Sequence, residues 1–261
     1  MLALGTGPDT GMVHVPAGSY LPLYAAPASS KSTKAAPSTP TRQRVLVAAF
    51  DMDVHPVTNR DYLEFVRAHP EWRRSRVAAL FADASYLRHW RGDLDPGDEA
   101  PPASPVVYVS WFAARAYLRS AGKTLPTVDE WEYVGAASET RRDASRDAAF
   151  LERLRVWYGR PTPARLPPVG STPLNAYGVG DMHGLVWEWT LDFNSALVTG
   201  ESRADSAIER TLYCGSGAAG ASDFEDYAAF MRFAFRGSLE ARYTVANLGF
   251  RGVRERVEGA R

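Results

Sequence analysis

Asp181 and Glu188 bracket a bend in the stretch NAYGVGDMHGLVWEWTLD, residues 175–192, with Gly184 between them. Two carboxylates that close repel each other unless a cation sits with them. Calcium takes oxygen ligands, carboxylates mixed with backbone carbonyls, from a chain able to curl around it. This segment supplies those parts. The competing reading pairs Glu188 with an arginine and leaves Asp181 capping a turn. Gly178 and Gly180 allow backbone conformations closed to other residues. Val186 to Thr190 then reads as a strand, with Trp187 and Trp189 on one face and Val186, Glu188 and Thr190 on the other. A glutamate between two tryptophans should be ion-paired or a ligand, because a lone buried carboxylate is too costly. His183, in the same bend, is a poor partner for a hard cation and reads as exposed.

A second group lies further along. Arg232 and Arg236 are four residues apart on one predicted helix, beside a face of Phe224, Tyr227, Ala228, Met231 and Phe235. Ser222 is its candidate cap, with Asp223 and Glu225 at the positive end. The arginine pair would suit a carboxylate or phosphate; the plainer reading is a core helix with structural arginines. Cys214 is the only cysteine of 261 residues, so no internal disulfide and no cysteine-rich zinc site can form. It reads as a packed small residue, a reactive thiol, or one ligand of an intermolecular copper site. His14, His55, His69, His89 and His183 are scattered, and His55, just before Pro56, reads as a surface turn histidine.

The elements that must position these groups are short. Met12 to Tyr20 reads as a short strand ending in a Pro-Ala-Gly turn and Arg44 to Asp53 as a second strand, joined across residues 25–42, whose Ala, Ser, Pro, Thr and Lys suit a mobile surface loop. Thr58 and Asp61 form a capping box for a helix that Pro70 ends, and Thr127 and Glu130 form another. Ser110 caps a helix that Gly122 stops. Pro105 to Val109 reads as a buried strand, Leu80 to Trp90 as a short helix inside an irregular insertion, and Arg141 to Arg155 as a further helix.

Composition narrows the class. A net charge of zero with 45% hydrophobic residues argues against disorder and gives no reason to propose nucleic acid or a membrane surface as partner. No apolar run is long enough to span a bilayer. The first fifteen residues lack a basic region and a long apolar core, so they do not read as a signal peptide. The compartment stays open: periplasmic or secreted if a leader was trimmed, otherwise cytoplasmic.

Four ordered segments carry a family resemblance: DVHPVTNRDYLEFV, PVVYVSWFAARAYLRSAGKTLPTVDEWEYVGAA, NAYGVGDMHGLVWEW and NLGFRG. Together they resemble the formylglycine-generating enzyme, or sulfatase-modifying factor, family. The resemblance runs from about Met12 to Arg254. It implies one FGE-sulfatase-like domain over residues 1–261, with a core of about 12–254. The implied fold is α+β, a C-type-lectin-like variant with little regular secondary structure, several short strands and a few helices. It implies a structural calcium held by the Asp181 side chain, the carbonyls of Gly184 and Val186, and Glu188. It also implies that Asp223, Tyr227, Arg232, Arg236 and Tyr243, with Cys214 nearby, line the groove that holds substrate in catalytic relatives.

Catalytic members bind copper through two cysteines five residues apart, and in register those positions fall on Asp223 and Ala228. The usual oxidation is therefore not expected, and neither copper nor iron has a visible ligand set. The related iron-dependent sulfoxide synthases use a His-x3-His-x-Glu pattern that does not occur here. LYCGSGAAG and DYAAFMR are similar to the branch encoded beside copper nitrite reductases. The expected function is a non-catalytic binding or maturation factor with a protein or peptide partner, such as a copper enzyme or its chaperone. The alternatives are a metal-dependent oxidase or hydroxylase with an altered site, and a ligand-display protein.

Overall fold

The computed structural model describes residues 11–22, 43–193 and 227–256. The predicted loop over 25–42, Cys214, the glycine turn that follows it, Ser222 and Asp223 lie outside them. So does the side chain of Tyr227.

The described chain is a mixed α+β fold in which loops outnumber regular elements. Strands β1 (Met12–Val15), β4 (Phe50–Asp53) and β7 (Val253–Glu255) form an antiparallel sheet in the order β1-β4-β7, so the first and last segments meet across β4. Strands β2 (Gly18–Tyr20) and β3 (Val45–Val47) pair antiparallel. Strand β5 (Trp187–Glu188) pairs parallel with β6 (Leu248–Gly249). The second expected strand is split at Ala48–Ala49, and the turn expected from Pro16 separates β1 from β2. Proline has no N–H to give to a ladder.

Local chemistry sets the helices. In α1 (Asn59–Ala68), Thr58 accepts from the Asp61 N–H while the Asp61 carboxylate reaches back to the Thr58 N–H. Thr127 and Glu130 repeat that box at α3 (Val128–Gly135). Ser110 caps α2 (Trp111–Ser120), and Gly122 follows at φ +65°. Helix α4 (Ala148–Tyr158) begins later than expected because Asp147 accepts from the N–H groups of Ala149 and Phe150. Helix α5 spans Tyr227–Gly237. Leu80 to Trp90 is a run of turns and not a helix, with Leu87 in the left-handed region at φ 46°. Pro105 to Val109 is buried as expected except at Tyr108, but it forms only the isolated bridge Thr58–Pro105 and is held by scattered hydrogen bonds to Val57, Leu87 and Val245, so it is no strand.

Two apolar clusters dominate the core. One gathers α1, α2, Trp90, Trp189 and Phe250; the other packs Val15, Phe50 and Met52 against Trp131 and Val134 of α3. Strand β6 runs between walls so close that a Cβ at Gly249 would lie 2.8 Å from the Val106 carbonyl oxygen. Only glycine fits there. Among the described residues, no helix is long and apolar enough to cross a membrane.

Candidate functional site

Glu188 and Arg251 are both fully buried, and their charged groups meet at the centre of the fold. Arg251 donates from Nε at 2.8 and 3.0 Å and from Nη2 at 2.7 Å to the Glu188 carboxylate. Its remaining donors go to the carbonyls of Asp53, Val54 and Gly180. Trp131 Nε1 completes the carboxylate at 2.8 Å. A planar guanidinium with five donors is the cation suited to holding that many acceptors at once.

Asp181 is spoken for in the same way. The N–H groups of Gly170 and Thr172, the Thr172 hydroxyl and His55 Nδ1 all donate to its carboxylate. Asp181 itself sits at φ 56°, a region that aspartate tolerates better than most residues. The approach is tight: a Cβ at Gly180 would lie 2.8 Å from the His55 ring. His55 is thus a partner of the bend and not a free surface histidine.

This arrangement does not fit the calcium site expected at Asp181, Gly184, Val186 and Glu188. Four donors saturate one carboxylate, and a guanidinium already supplies the positive charge at the other. A cation would have to break both sets. The reading in which Glu188 pairs with an arginine and Asp181 caps a turn is the one the geometry follows. Arg251 is the residue the sequence reading did not assign. The only signal for it was its place in NLGFRG, 63 residues from its partner.

Arg232 and Arg236 do not line an open groove. Both are nearly buried and converge on Glu132 of α3. Arg232 meets the carboxylate through Nε and Nη2 at 2.7 to 3.1 Å, and Arg236 through Nη1 at 2.5 Å. Burial alone would push the Glu132 carboxyl up, but the two guanidinium groups outweigh it and hold it at about 2. The Arg236 guanidinium also lies 4.8 Å from the ring centre of Trp131, so one indole touches both buried carboxylate clusters. Beside them, Phe235 stacks on Trp187 at 4.5 Å, with Tyr158 packed on the same indole at 5.0 Å. The space left among these groups is about 10 Å³, room for about one water. Tyr243 is elsewhere, partly exposed and bonded to Glu240, which raises its pKa. The structure therefore brings Arg232 and Arg236 together and leaves Tyr243 apart.

His183 is not the exposed side chain expected. Its Nε2 lies 2.8 Å from the Gly135 carbonyl, which can only accept, so Nε2 carries the proton. The ring stands edge-on to Trp131 at 5.5 Å and to Phe150 at 5.9 Å. Burial, then the nearby Arg232 charge, lowers its pKa to about 3, so the imidazole is neutral at physiological pH.

A sparse α+β domain, closed by buried guanidinium–carboxylate pairs around an aromatic strand, is thus the class of protein that the fold and the site define. Residues 5–256 match the sulfatase-modifying factor enzyme 1-like domain, and the chain belongs to that FGE-sulfatase family. It is 31% identical over 224 residues to the mouse (Mus musculus) protein named inactive C-alpha-formylglycine-generating enzyme 2, covering 72% of this chain and 71% of that one. It is 29% identical over 313 aligned positions to the formylglycine-generating enzyme of Mycobacterium tuberculosis, covering 96% and 99% of the two chains. Over 162 positions it is 33% identical to the hercynine oxygenase of Mycolicibacterium smegmatis, covering 55% of this chain and 37% of that one.

Three outcomes follow from these pairs. Arg251→Ala strands a buried carboxylate and should cost about 3–5 kcal/mol in urea unfolding, whereas the double change Glu188→Gln with Arg251→Met should cost less than the two single changes added. Because hydrogen-bond donors of the chain fill the Asp181 carboxylate and Arg251 balances Glu188, EGTA or added calcium should leave the thermal midpoint unchanged; a clear upward shift with calcium would contradict the arrangement. Glu132 has a folded pKa below its ordinary 4.5, so its stabilisation is complete above pH 4.5 and is lost as pH falls toward about 2. Urea midpoints measured across that window should drop more steeply for the native chain than for Glu132→Gln.

Proposed function

We propose that this chain is a non-catalytic member of the family that binds a protein or peptide partner. The carrying observation is that Cys214 is the sole cysteine. A thiolate pair cannot be built from one cysteine, and soft copper(I) depends on such sulfur ligands. The space beside Trp187 supports the same reading, since among the described residues Phe235, Tyr158 and the Glu132 triad leave only about 10 Å³ there. Inactivity is also part of the printed name of the mouse relative.

An iron-dependent reading has less to stand on. His14, His55 and His183 are bonded to Asp51, Asp181 and the Gly135 carbonyl. Among the described residues, no three His, Cys, Asp or Glu side chains converge. The finer reading, an accessory to a copper enzyme or its chaperone, rests on the resemblance carried by LYCGSGAAG and DYAAFMR.

The test is direct. Purified protein is loaded with copper and incubated in air with a cysteine-containing peptide, and the peptide mass is followed. The mass should stay unchanged; conversion of the cysteine to an aldehyde would overturn the reading.

A further inference from the structure

A second cavity, of about 180 Å³, lies between α4, the turn at Ala137–Glu139 and the bend at 172–184. It is separate from the filled space beside Trp187, although Trp157 and Met182 border both. It exceeds the engineered cavity of about 150 Å³ that accepts benzene in another protein. Phe150, Leu154, Trp157, Val179 and Met182 give it apolar walls.

Most polar groups on its lining are already engaged. Ser138 Oγ accepts from the N–H of Arg141, and Thr172 Oγ1 is engaged with Asp181 on both sides. Asn175 donates to the Val134 carbonyl and accepts from the N–H groups of Tyr177 and Val179. His183 has its one proton on the Gly135 carbonyl, and its bare Nδ1 is shielded from solvent. A charged guest would lose hydrogen bonds to water that this mostly apolar lining replaces only in part. The rim is different. Glu139 and Arg153 are half-exposed and bridge each other at 2.9 Å. Such a surface pair contributes little and yields readily to other partners. Side by side, a carboxylate and a guanidinium match the N–H and C=O of a peptide backbone.

We propose that this cavity seats one uncharged aromatic side chain of a peptide or protein partner, with the backbone on either side of the ring held by Glu139 and Arg153. The proposal rests on the reading of the chain as a binding protein and names the feature of the partner that would be recognised.

The experiment titrates the full chain with N-acetyl-phenylalaninamide and, separately, with N-acetyl-glutaminamide. The readout is the indole N–H resonance of Trp157 in the native chain and the overall binding isotherm. The phenylalanine compound should saturate and shift that resonance, and the glutamine compound should bind at least about tenfold more weakly. Leu154→Trp fills the cavity from within, and Arg153→Trp covers its mouth from an exposed helix position. Each should weaken the phenylalanine compound by at least about tenfold. If Leu154→Trp fails to fold by circular dichroism, Arg153→Trp carries the test.

Equal binding of the two amides, an unmoved Trp157 resonance, or unchanged affinity in the folded variants would overturn the proposal. The two readings fail separately. Oxidation of a cysteine peptide would end the non-catalytic reading and leave ring binding standing, whereas absence of ring binding would end the cavity assignment alone.

Discussion

The Arg251–Glu188 pair is the constraint on which the rest of the structure depends. Its guanidinium joins β5 to the chain just after β6 and, through the Asp53 and Val54 carbonyls, to the end of β4. It also fixes the Gly180 carbonyl, and with it the bend that carries Asp181. Removing both charges from water is expensive, and well-packed apolar residues could hold the same space at no loss of stability. What the pair adds is direction. Several acceptors must be aligned with one planar cation, so a chain with few regular elements has one way to close.

Glu132 repeats the device on a neighbouring element. It too stands between aromatic residues, Trp131 and Tyr133, and takes two arginines from a helix far along the chain. Trp131 joins the two clusters, donating to Glu188 and lying against Arg236. The bend at Asp181 and Glu188 and the Arg232–Arg236 pair are thus held by the chain's own ion pairs and hydrogen bonds. The binding role proposed above is placed instead on the cavity behind α4, whose walls are largely apolar.

The legible parts of the sequence were those set by neighbours. Both capping boxes, the Ser110 cap and the stop at Gly122 depend on residues within one helical turn, and all form as read. The helix expected at Leu80–Trp90 did not form: no clean apolar period specified it, and the chain there runs through turns with Leu87 at φ 46°. The family could be read because four motifs keep their order; the site could be read only in part. Glu188 was recognisable as a residue needing a partner, but Arg251 lies 63 residues away, a distance that no local pattern spans. Glu132 was missed although WEY carries the same signal as WEW: a carboxylate between aromatic residues that must be paired if buried. His183 was misjudged because its exposure depends on α3 and α4 folding over it.

The long reach of Arg251 also bears on how the molecule is made. A ribosome releases Glu188 before Arg251, and at about 5–20 residues per second the separation of 63 positions takes several seconds. Throughout that interval the carboxylate destined for the centre has no counter-charge, and β5 has no β6 to pair with. The nascent chain can form its helices and the N-terminal hairpins, but its centre must stay wet until the last strands arrive. Translation speed across this stretch, and whatever shields the aromatic residues around Glu188 meanwhile, become determinants of how much chain reaches the native state.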